Sequence, residues 1–92
     1  MNKISAHLKI SGKVQGVFFR AMAKKVAEKN NLTGWIKNLA DGNVEAIVSG
    51  DKDSVERFME WCKQGPENAQ VQAVNVHYVE EKIFKEFTVK RE

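Results

Sequence analysis

The sequence has little of what defines several large classes of protein. Its 92 residues include one cysteine and one proline, and no stretch approaches the roughly 18 apolar residues that a membrane span requires. The single cysteine, Cys62, excludes an internal disulfide and a zinc site built on cysteine pairs. The first residues lack the apolar segment of a secretory signal. We therefore expect a cytoplasmic protein that has no membrane partner.

The charge is nearly balanced, and this limits the classes of partner. Lys and Arg number 15 and Asp and Glu number 12, which gives a net charge of +3 spread along the chain. Nucleic-acid-binding proteins concentrate basic residues on one face, so no nucleic acid is expected, whereas a small positive excess favours a small anion. The length predicts a single domain over residues 1–92. A monomer is expected because no excess of apolar sequence demands a partner.

Apolar periodicity predicts one strand and two helices. Alternate residues from Ile4 to Ile10 are apolar, which is typical of a strand with one buried face. Helical spacing then begins at Phe19 and stops near Asn30, and a second helix follows the capping residues 51–54 and ends at Gly65-Pro66. The apolar stripes of the two helices are Phe19, Met22, Ala23, Val26 and Ala27 in the first, and Val55, Phe58, Met59 and Cys62 in the second.

The remaining segments read as strands. Gly34–Leu39 and Val44–Ser49 are joined by residues 40–43, where Asp41-Gly42 is a strong hairpin signal. Residues 71–79 suggest a long strand with an ambiguous register near Ala73, and Phe87–Val89 suggests a short last strand. The order β-α-β-β-α-β, with either a split or an extra terminal strand, predicts an α+β ferredoxin-like sandwich in which two helices cover one face of an antiparallel sheet. That fold hosts many functions and by itself defines none.

Most side chains that often carry chemistry have a structural interpretation here. His7 and His77 lie on separate predicted strands, where exposed histidines are expected rather than ligands or bases. Cys62 is expected to be a small buried hydrophobic residue, and Trp61 a partly covered aromatic. No set of metal ligands is evident, so neither a metal nor a cofactor is expected.

The segment Gln15–Arg20, between the first strand and the first helix, predicts an anion site. Backbone N–H groups at a helix start lack intrahelical partners, and the helix dipole favours negative charge there. Gly16 allows the backbone to fold closely around an anion, and the planar guanidinium of Arg20 matches two phosphate oxygens. The alternative is a capped helix whose Arg20 faces solvent, and these residues alone leave both interpretations open.

The same residues carry a family resemblance. The segment from Gly12 to Arg20 resembles the acylphosphatase signature G-x-V-Q-G-V-x-F-R. Residues 34–38, followed by residues 41–45, resemble the second signature of that family, G-W-V-x-N-x-x-D-G-x-V-E. The order and spacing also match, and the similarity extends over nearly the whole chain. It implies a ferredoxin-like enzyme that hydrolyses the carboxyl–phosphate bond of acyl phosphates without a metal.

The resemblance also implies roles for individual residues. Phosphate is bound by the guanidinium of Arg20 and by the backbone amides of the loop, namely Gln15, Gly16, Val17, Phe18, Phe19 and Arg20. Asn38 holds the attacking water through its side-chain amide. Trp35 is expected to support packing, and Asp41-Gly42 to form only the hairpin turn. The implied partners are an acyl phosphate substrate and inorganic phosphate or a similar anion, with no cofactor.

Three positions depart from the family pattern. Ala23 replaces a frequent threonine, Gln70 replaces a common arginine, and the tail lacks the usual tyrosine and continues as Lys90-Arg91-Glu92. These differences bear on rate and stability, and they leave Arg20 and Asn38 in place.

Two other functions compete with the enzyme. A non-catalytic phosphate-binding or regulatory module on the same fold would need Arg20, but it would have no use for Asn38. An RNA-binding sheet would need paired aromatic residues on its central strands, where this sequence offers His7 and Lys9.

Overall fold

The computed structural model describes residues 2–91 and contains five strands and two helices in that range. They follow the order β1 (Lys3–Lys13), α1 (Phe19–Lys29), β2 (Thr33–Asn38), β3 (Val44–Asp51), α2 (Lys52–Gln64), β4 (Gln70–Val79) and β5 (Phe87–Val89). The strands form one sheet in the order β4-β1-β3-β2-β5, and both helices pack against it. The predicted α+β ferredoxin-like sandwich is confirmed. Within residues 2–91, no helix has the length and apolarity needed to cross a membrane.

The sheet is antiparallel across its first four strands, as predicted, and β5 adds a parallel pairing with β2. The path of the chain explains this direction. Strand β4 ends with Val79 opposite Ser5, at the end of the sheet where β2 begins. The connection crosses along that end, and the backbone N–H of Lys82 donates a hydrogen bond of 2.8 Å to the Ser5 hydroxyl. Strand β5 therefore starts level with β2 and runs in the same direction.

The core lies between the helices and one face of the sheet. Its buried members include Leu8 and Ile10 of β1, Val48 of β3 and Phe58 of α2. Cys62 is buried in the same core, as expected, and this burial raises the pKa of its thiol. The complete buried apolar set is Ala6, Leu8, Ile10, Val14, Val17, Phe19, Ala23, Ala27, Leu32, Ile36, Val44, Ala46, Val48, Val55, Phe58, Cys62 and Phe87.

The buried stripe of α1 is narrower than the sequence predicted. Phe19, Ala23 and Ala27 are buried at intervals of four residues, whereas Met22 is 39% exposed. Met22 therefore lies at the margin of the stripe, and its prediction as a core residue is wrong. Trp61 is half-buried, as expected, with its ring centroid 5.2 Å from that of Phe19.

A β-bulge resolves the ambiguity near Ala73. Ser11 pairs with Ala73, but Gly12 pairs with Val71, so one residue of β4 has no partner. Gly12 has φ of 117°, and an added Cβ would collide with the carbonyl oxygen of Gln70. Only glycine fits this close approach without a backbone shift, and the strand then leads directly into the loop before α1.

Two local expectations fail. Asp51 precedes α2 but makes no capping hydrogen bond, and its buried Oδ1 atom has no hydrogen-bond partner among residues 2–91. His77 is exposed, as expected, but its cross-strand partner His7 is half-buried. The Nε2 atom of His7 lies 2.7 Å from the Glu45 carboxylate on β3, within hydrogen-bond distance.

Candidate active site

The loop of residues 14–18 joins β1 to α1 and has an unusual backbone. Gly16 has φ of 75°, and Phe18 has φ of 64° and ψ of 23°, both in the left-handed region. When left-handed residues adjoin residues of right-handed conformation, successive N–H groups point to one side and form a concavity that can bind an anion. An added Cβ on Gly16 would meet no atom within 4 Å, so the positive φ favours glycine there. Phe18 adopts the same conformation with its side chain 78% exposed.

The N-terminus of α1 has free hydrogen-bond donors. The helix has no side-chain cap and no acidic residue in its first turn. Its first backbone bond runs from the N–H of Met22 to the carbonyl of Phe18, at 3.1 Å. Within residues 2–91, no atom accepts a hydrogen bond from the backbone N–H groups of residues 15–21. Orphan donors at the positive end of a helix dipole attract an anion.

A cleft of about 350 Å³ opens beside this loop. It is lined by the loop, the first turn of α1, the last residue of β2 and the chain around the end of β5. Its volume suits a small ligand. The lining residues are Val14, Gly16, Phe18, Phe19, Arg20, Ala21, Asn38, Val89 and Arg91. Arg20 and Asn38, which come from different elements, therefore share one cleft.

Arg20 is half-buried in this cleft. Among residues 2–91, no carboxylate lies within ion-pair distance of its guanidinium. A permanently charged fork without an internal partner can bind an external oxyanion. The uncapped helix and this position favour the anion cradle over a capped helix with Arg20 in solvent.

Asn38 contributes an unsatisfied acceptor to the same cleft. It is the last residue of β2, and its Oδ1 atom is buried without a hydrogen-bond partner among the described residues. Buried polar side chains usually have a partner, and those without one call for an explanation. A water molecule in the cleft can donate a hydrogen bond to this oxygen. Asn38 shares the inner face of β2 with buried Ile36, as the alternation of the strand predicted.

Trp35 lies on the opposite face of β2 and does not line the cleft. The Nζ atoms of Lys90 and Lys37 lie 4.3 and 5.4 Å from the centroid of its ring, within cation–π distance. The tryptophan therefore packs beneath two lysine side chains, which agrees with the packing role expected from the sequence.

Two predicted loop residues contribute no side chain to the cleft. Val17 is buried in the core, at 6% exposure. The carboxamide of Gln15 is directed to the β2–β3 hairpin, where its Nε2 atom donates hydrogen bonds of 2.8 Å to the carbonyls of Leu39 and Asn43. Their predicted contribution was the backbone amide, which this placement leaves available.

Asp41 and Gly42 form the hairpin turn, as expected. The Oδ1 atom of Asp41 accepts a hydrogen bond of 3.0 Å from the backbone N–H of Asn43. That hydrogen bond lowers the pKa of the Asp41 carboxyl, and the nearby ammonium of Lys9 lowers it further. Gly42 has φ of 93°, so the turn needs a residue that accepts the left-handed region.

Four cleft residues were missed by the sequence analysis: Val14, Ala21, Val89 and Arg91. Arg91 was noticed only as part of an unusual tail, because its position depends on the partner chosen by β5. Among residues 2–91, no three His, Cys, Asp or Glu side chains lie close enough together to hold a metal ion.

Comparisons with known proteins agree with this geometry. The acylphosphatase family model matches residues 6–89. An acylphosphatase of Chloroflexus aurantiacus is 45% identical over 80 residues, covering 87% of each chain. The structure of an acylphosphatase from Coxiella burnetii superimposes with a TM-score of 0.94 at 43% identity, covering 97% of this chain and 94% of that one. The acylphosphatase structure from Bacillus subtilis gives a TM-score of 0.88 at 28% identity, with 96% and 99% covered.

Together with the ferredoxin-like α+β fold, these comparisons identify the chain as a hydrolase. The enzyme class is that of hydrolases acting on acid anhydrides. The chain belongs to the acylphosphatase family.

Proposed function

We propose that this chain hydrolyses the carboxyl–phosphate bond of acyl phosphates without a metal, giving a carboxylate and inorganic phosphate. The observation that carries the proposal is the shared cleft, in which Arg20, the unpaired loop N–H groups and the buried Oδ1 of Asn38 meet. In this role the backbone amides of residues 15–20 and the Arg20 guanidinium hold the phosphoryl oxygens. The side chain of Asn38 holds the attacking water, which is the nucleophile.

The reaction is an in-line displacement at phosphorus. Asn38 Oδ1 accepts a hydrogen bond from the water, which leaves a lone pair of the water oxygen free to attack. The new P–O bond forms as the bond to the carboxyl oxygen breaks, and the carboxylate departs with the electron pair. The proton of the water passes to a phosphate oxygen. No phosphorylated side chain is formed.

The leaving group explains why so few side chains are needed. Its conjugate acid is a carboxylic acid with a pKa of about 4, like the side chains of Asp and Glu, so it departs without protonation. Phosphoryl transfer passes through a loose transition state with spread charge, which rewards positioning and electrostatic stabilisation. Fixed amides and one guanidinium supply both, and a general acid and a side-chain base are dispensable.

The enzyme is favoured over a non-catalytic phosphate-binding module. Such a module needs the loop and Arg20, but a buried acceptor at Asn38 would be a cost without a use, about 1–3 kcal/mol. We further propose a single-domain monomer acting on a small-molecule acyl phosphate, with no nucleic acid or membrane partner. The cytoplasmic location stays a prediction.

The reaction class is tested by comparing benzoyl phosphate with a simple alkyl phosphate in the presence of EDTA. We expect hydrolysis of benzoyl phosphate, unaffected by the chelator, and no measurable hydrolysis of the alkyl phosphate, because an alkoxide cannot leave without a proton donor. Loss of activity in EDTA would contradict the metal-free mechanism. Comparable rates on both substrates would contradict the leaving-group argument.

A further inference from the structure

We propose that the Gln15 side chain is a positioning residue, which holds the phosphate loop and the strand end that carries Asn38 in catalytic register. This inference rests on the proposed function and concerns how its two halves are kept together. The loop amides and Arg20 belong to the β1–α1 connection, whereas Asn38 belongs to β2. A small displacement between these elements would separate the water from the phosphorus.

The carboxamide of Gln15 makes a two-point connection between these elements. Its Nε2 atom donates to the carbonyl of Leu39 and to the carbonyl of Asn43, each at 2.8 Å. These two carbonyls flank the hairpin turn, and the N–H of Leu39 also donates to Asn43, at 2.8 Å. Gln15 is half-buried, so water competes only partly for these bonds. Because Leu39 directly follows Asn38, the contact fixes the end of β2 relative to the loop.

The expected effect is on the rate constant of the chemical step. An error of about 1 Å in the placement of reacting groups can cost about 100-fold in rate. We expect Gln15→Ala to lower kcat on benzoyl phosphate by about 10- to 100-fold. The inhibition constant of inorganic phosphate should stay close to that of the wild type, because the substitution leaves the loop amides and Arg20 intact.

Asp41→Ala is the matched control. It removes the hydrogen bonds that Asp41 accepts from the N–H and Nδ2 of Asn43, and its ion pair with Lys9, but it leaves the hydrogen bonds from Gln15 to the hairpin carbonyls. If loosening the hairpin were enough to lower kcat, both variants would lose activity equally. The positioning role predicts a much larger loss for Gln15→Ala, and equal losses would overturn it.

A double-mutant cycle separates positioning from general damage. In the Asn38→Ala variant no side chain positions the water. Gln15 then has nothing to keep in register with the loop, so adding Gln15→Ala should change kcat little. An undiminished loss in that background would overturn the inference. If Asn38→Ala alone kept normal turnover, the proposed function would fail instead, so the two failures are distinguishable.

Gln15→Glu keeps the size of the side chain. It provides a second test that can be carried out even if the alanine variant folds poorly. As a carboxylate it faces two carbonyl oxygens and cannot donate to either. When protonated it donates one hydrogen bond. The ratio of its kcat to that of the wild type should therefore rise as the pH falls, and a ratio independent of pH would contradict the role of the donor.

A second inference concerns the end of β5, and a different observation carries it. We infer that Arg91 provides a second guanidinium to the phosphoryl group. In the parallel register Val89 lies beside Ile36, and the N–H of Lys90 donates 2.8 Å to the carbonyl of Ile36. Arg91 lies two residues beyond the end of β5, and continuing this register places it level with Asn38.

Side-chain alternation directs Arg91 to the cleft. Lys90 lies over the ring of Trp35, on the face of the sheet away from the helices. The next residue therefore faces the other side, where Arg91 lines the cleft together with Arg20 and Asn38. Within residues 2–91, no carboxylate pairs with Arg91. Two guanidinium groups in one small cleft match the double negative charge of a phosphoryl group.

The test of Arg91 is the competitive inhibition constant of inorganic phosphate, again resting on the proposed function. Arg91→Gln should raise this constant and the KM for benzoyl phosphate by about 2- to 5-fold, because Arg91 is exposed and an exposed ion pair contributes little, and added salt should reduce the difference. Lys29→Gln removes the same charge at the far end of α1 and should change neither constant. Equal changes in both variants would show that the effect comes from net charge alone, and they would overturn the inference. If the wild type neither hydrolysed benzoyl phosphate nor bound phosphate, the proposed function itself would be wrong.

Discussion

Replacing Asn38 with alanine should lower kcat on benzoyl phosphate by about 100-fold or more, while the binding of phosphate changes little. In the proposed function the loop amides and Arg20 hold the phosphoryl group, and this substitution leaves them intact. What is lost is the acceptor that fixes the water, so the nucleophile must be recruited from unrestrained solvent. The effect should therefore fall on kcat, with KM nearly constant.

Stability provides an independent readout of the same variant. The Oδ1 atom of Asn38 accepts no hydrogen bond from any of residues 2–91, so its removal breaks no hydrogen bond within that part of the protein. Asn38→Ala should thus leave the free energy of unfolding unchanged or higher in urea titrations, even though activity collapses. Asn75→Ala, on an exposed position of β4, is the matched control and should keep full activity. Near-normal turnover of Asn38→Ala would contradict the proposal that Asn38 positions the attacking water.

The second large effect is expected for Arg20→Gln. Removing a preorganised donor to developing charge typically costs about 10²–10³-fold in kcat. In the proposed function the guanidinium also binds the phosphoryl group in the ground state, so KM should rise as well. Arg20→Lys should recover only part of the loss, since an ammonium keeps the charge but not the planar fork that binds two oxygens.

Arg57→Gln controls for the change in net charge. Arg57 lies on α2, where it donates to Asn30 Oδ1 and Ser54 Oγ, each at 3.0 Å, and it does not line the cleft. Its substitution should leave kcat and KM unchanged. If Arg20→Gln behaved like Arg57→Gln in steady-state assays, phosphate binding in this cleft would not depend on Arg20.

Local sequence signals were sufficient for most of the fold. The switch from alternating apolar residues before Gly12 to helical spacing from Phe19 predicted the end of β1 and the start of α1. Asp41-Gly42 predicted the hairpin, because its φ requirement is local. The anion-binding role of the loop between β1 and α1 also depends on local signals, since the strand, the glycine and the helix start are contiguous, and it stays a prediction.

Features that depend on contacts between distant segments could not be predicted. The Gln15 side chain bonds to carbonyls 24 and 28 residues away, and the motif indicates only the residue type. Arg91 enters the cleft because β5 pairs in parallel with β2, which follows from the path of the chain around the sheet. The hydrogen bond of half-buried His7 similarly joins it to Glu45 of a neighbouring strand, 38 residues away.

The central claim is that binding the phosphoryl group and positioning the water are separate tasks of one cleft. It is tested most directly by the competitive inhibition constant of inorganic phosphate, measured side by side for the wild type, Asn38→Ala and Arg20→Gln at one ionic strength. We expect the inhibition constant of Asn38→Ala to lie within about threefold of the wild-type constant, and that of Arg20→Gln to be at least about tenfold higher. Equal weakening in both variants, or none in Arg20→Gln, would contradict it.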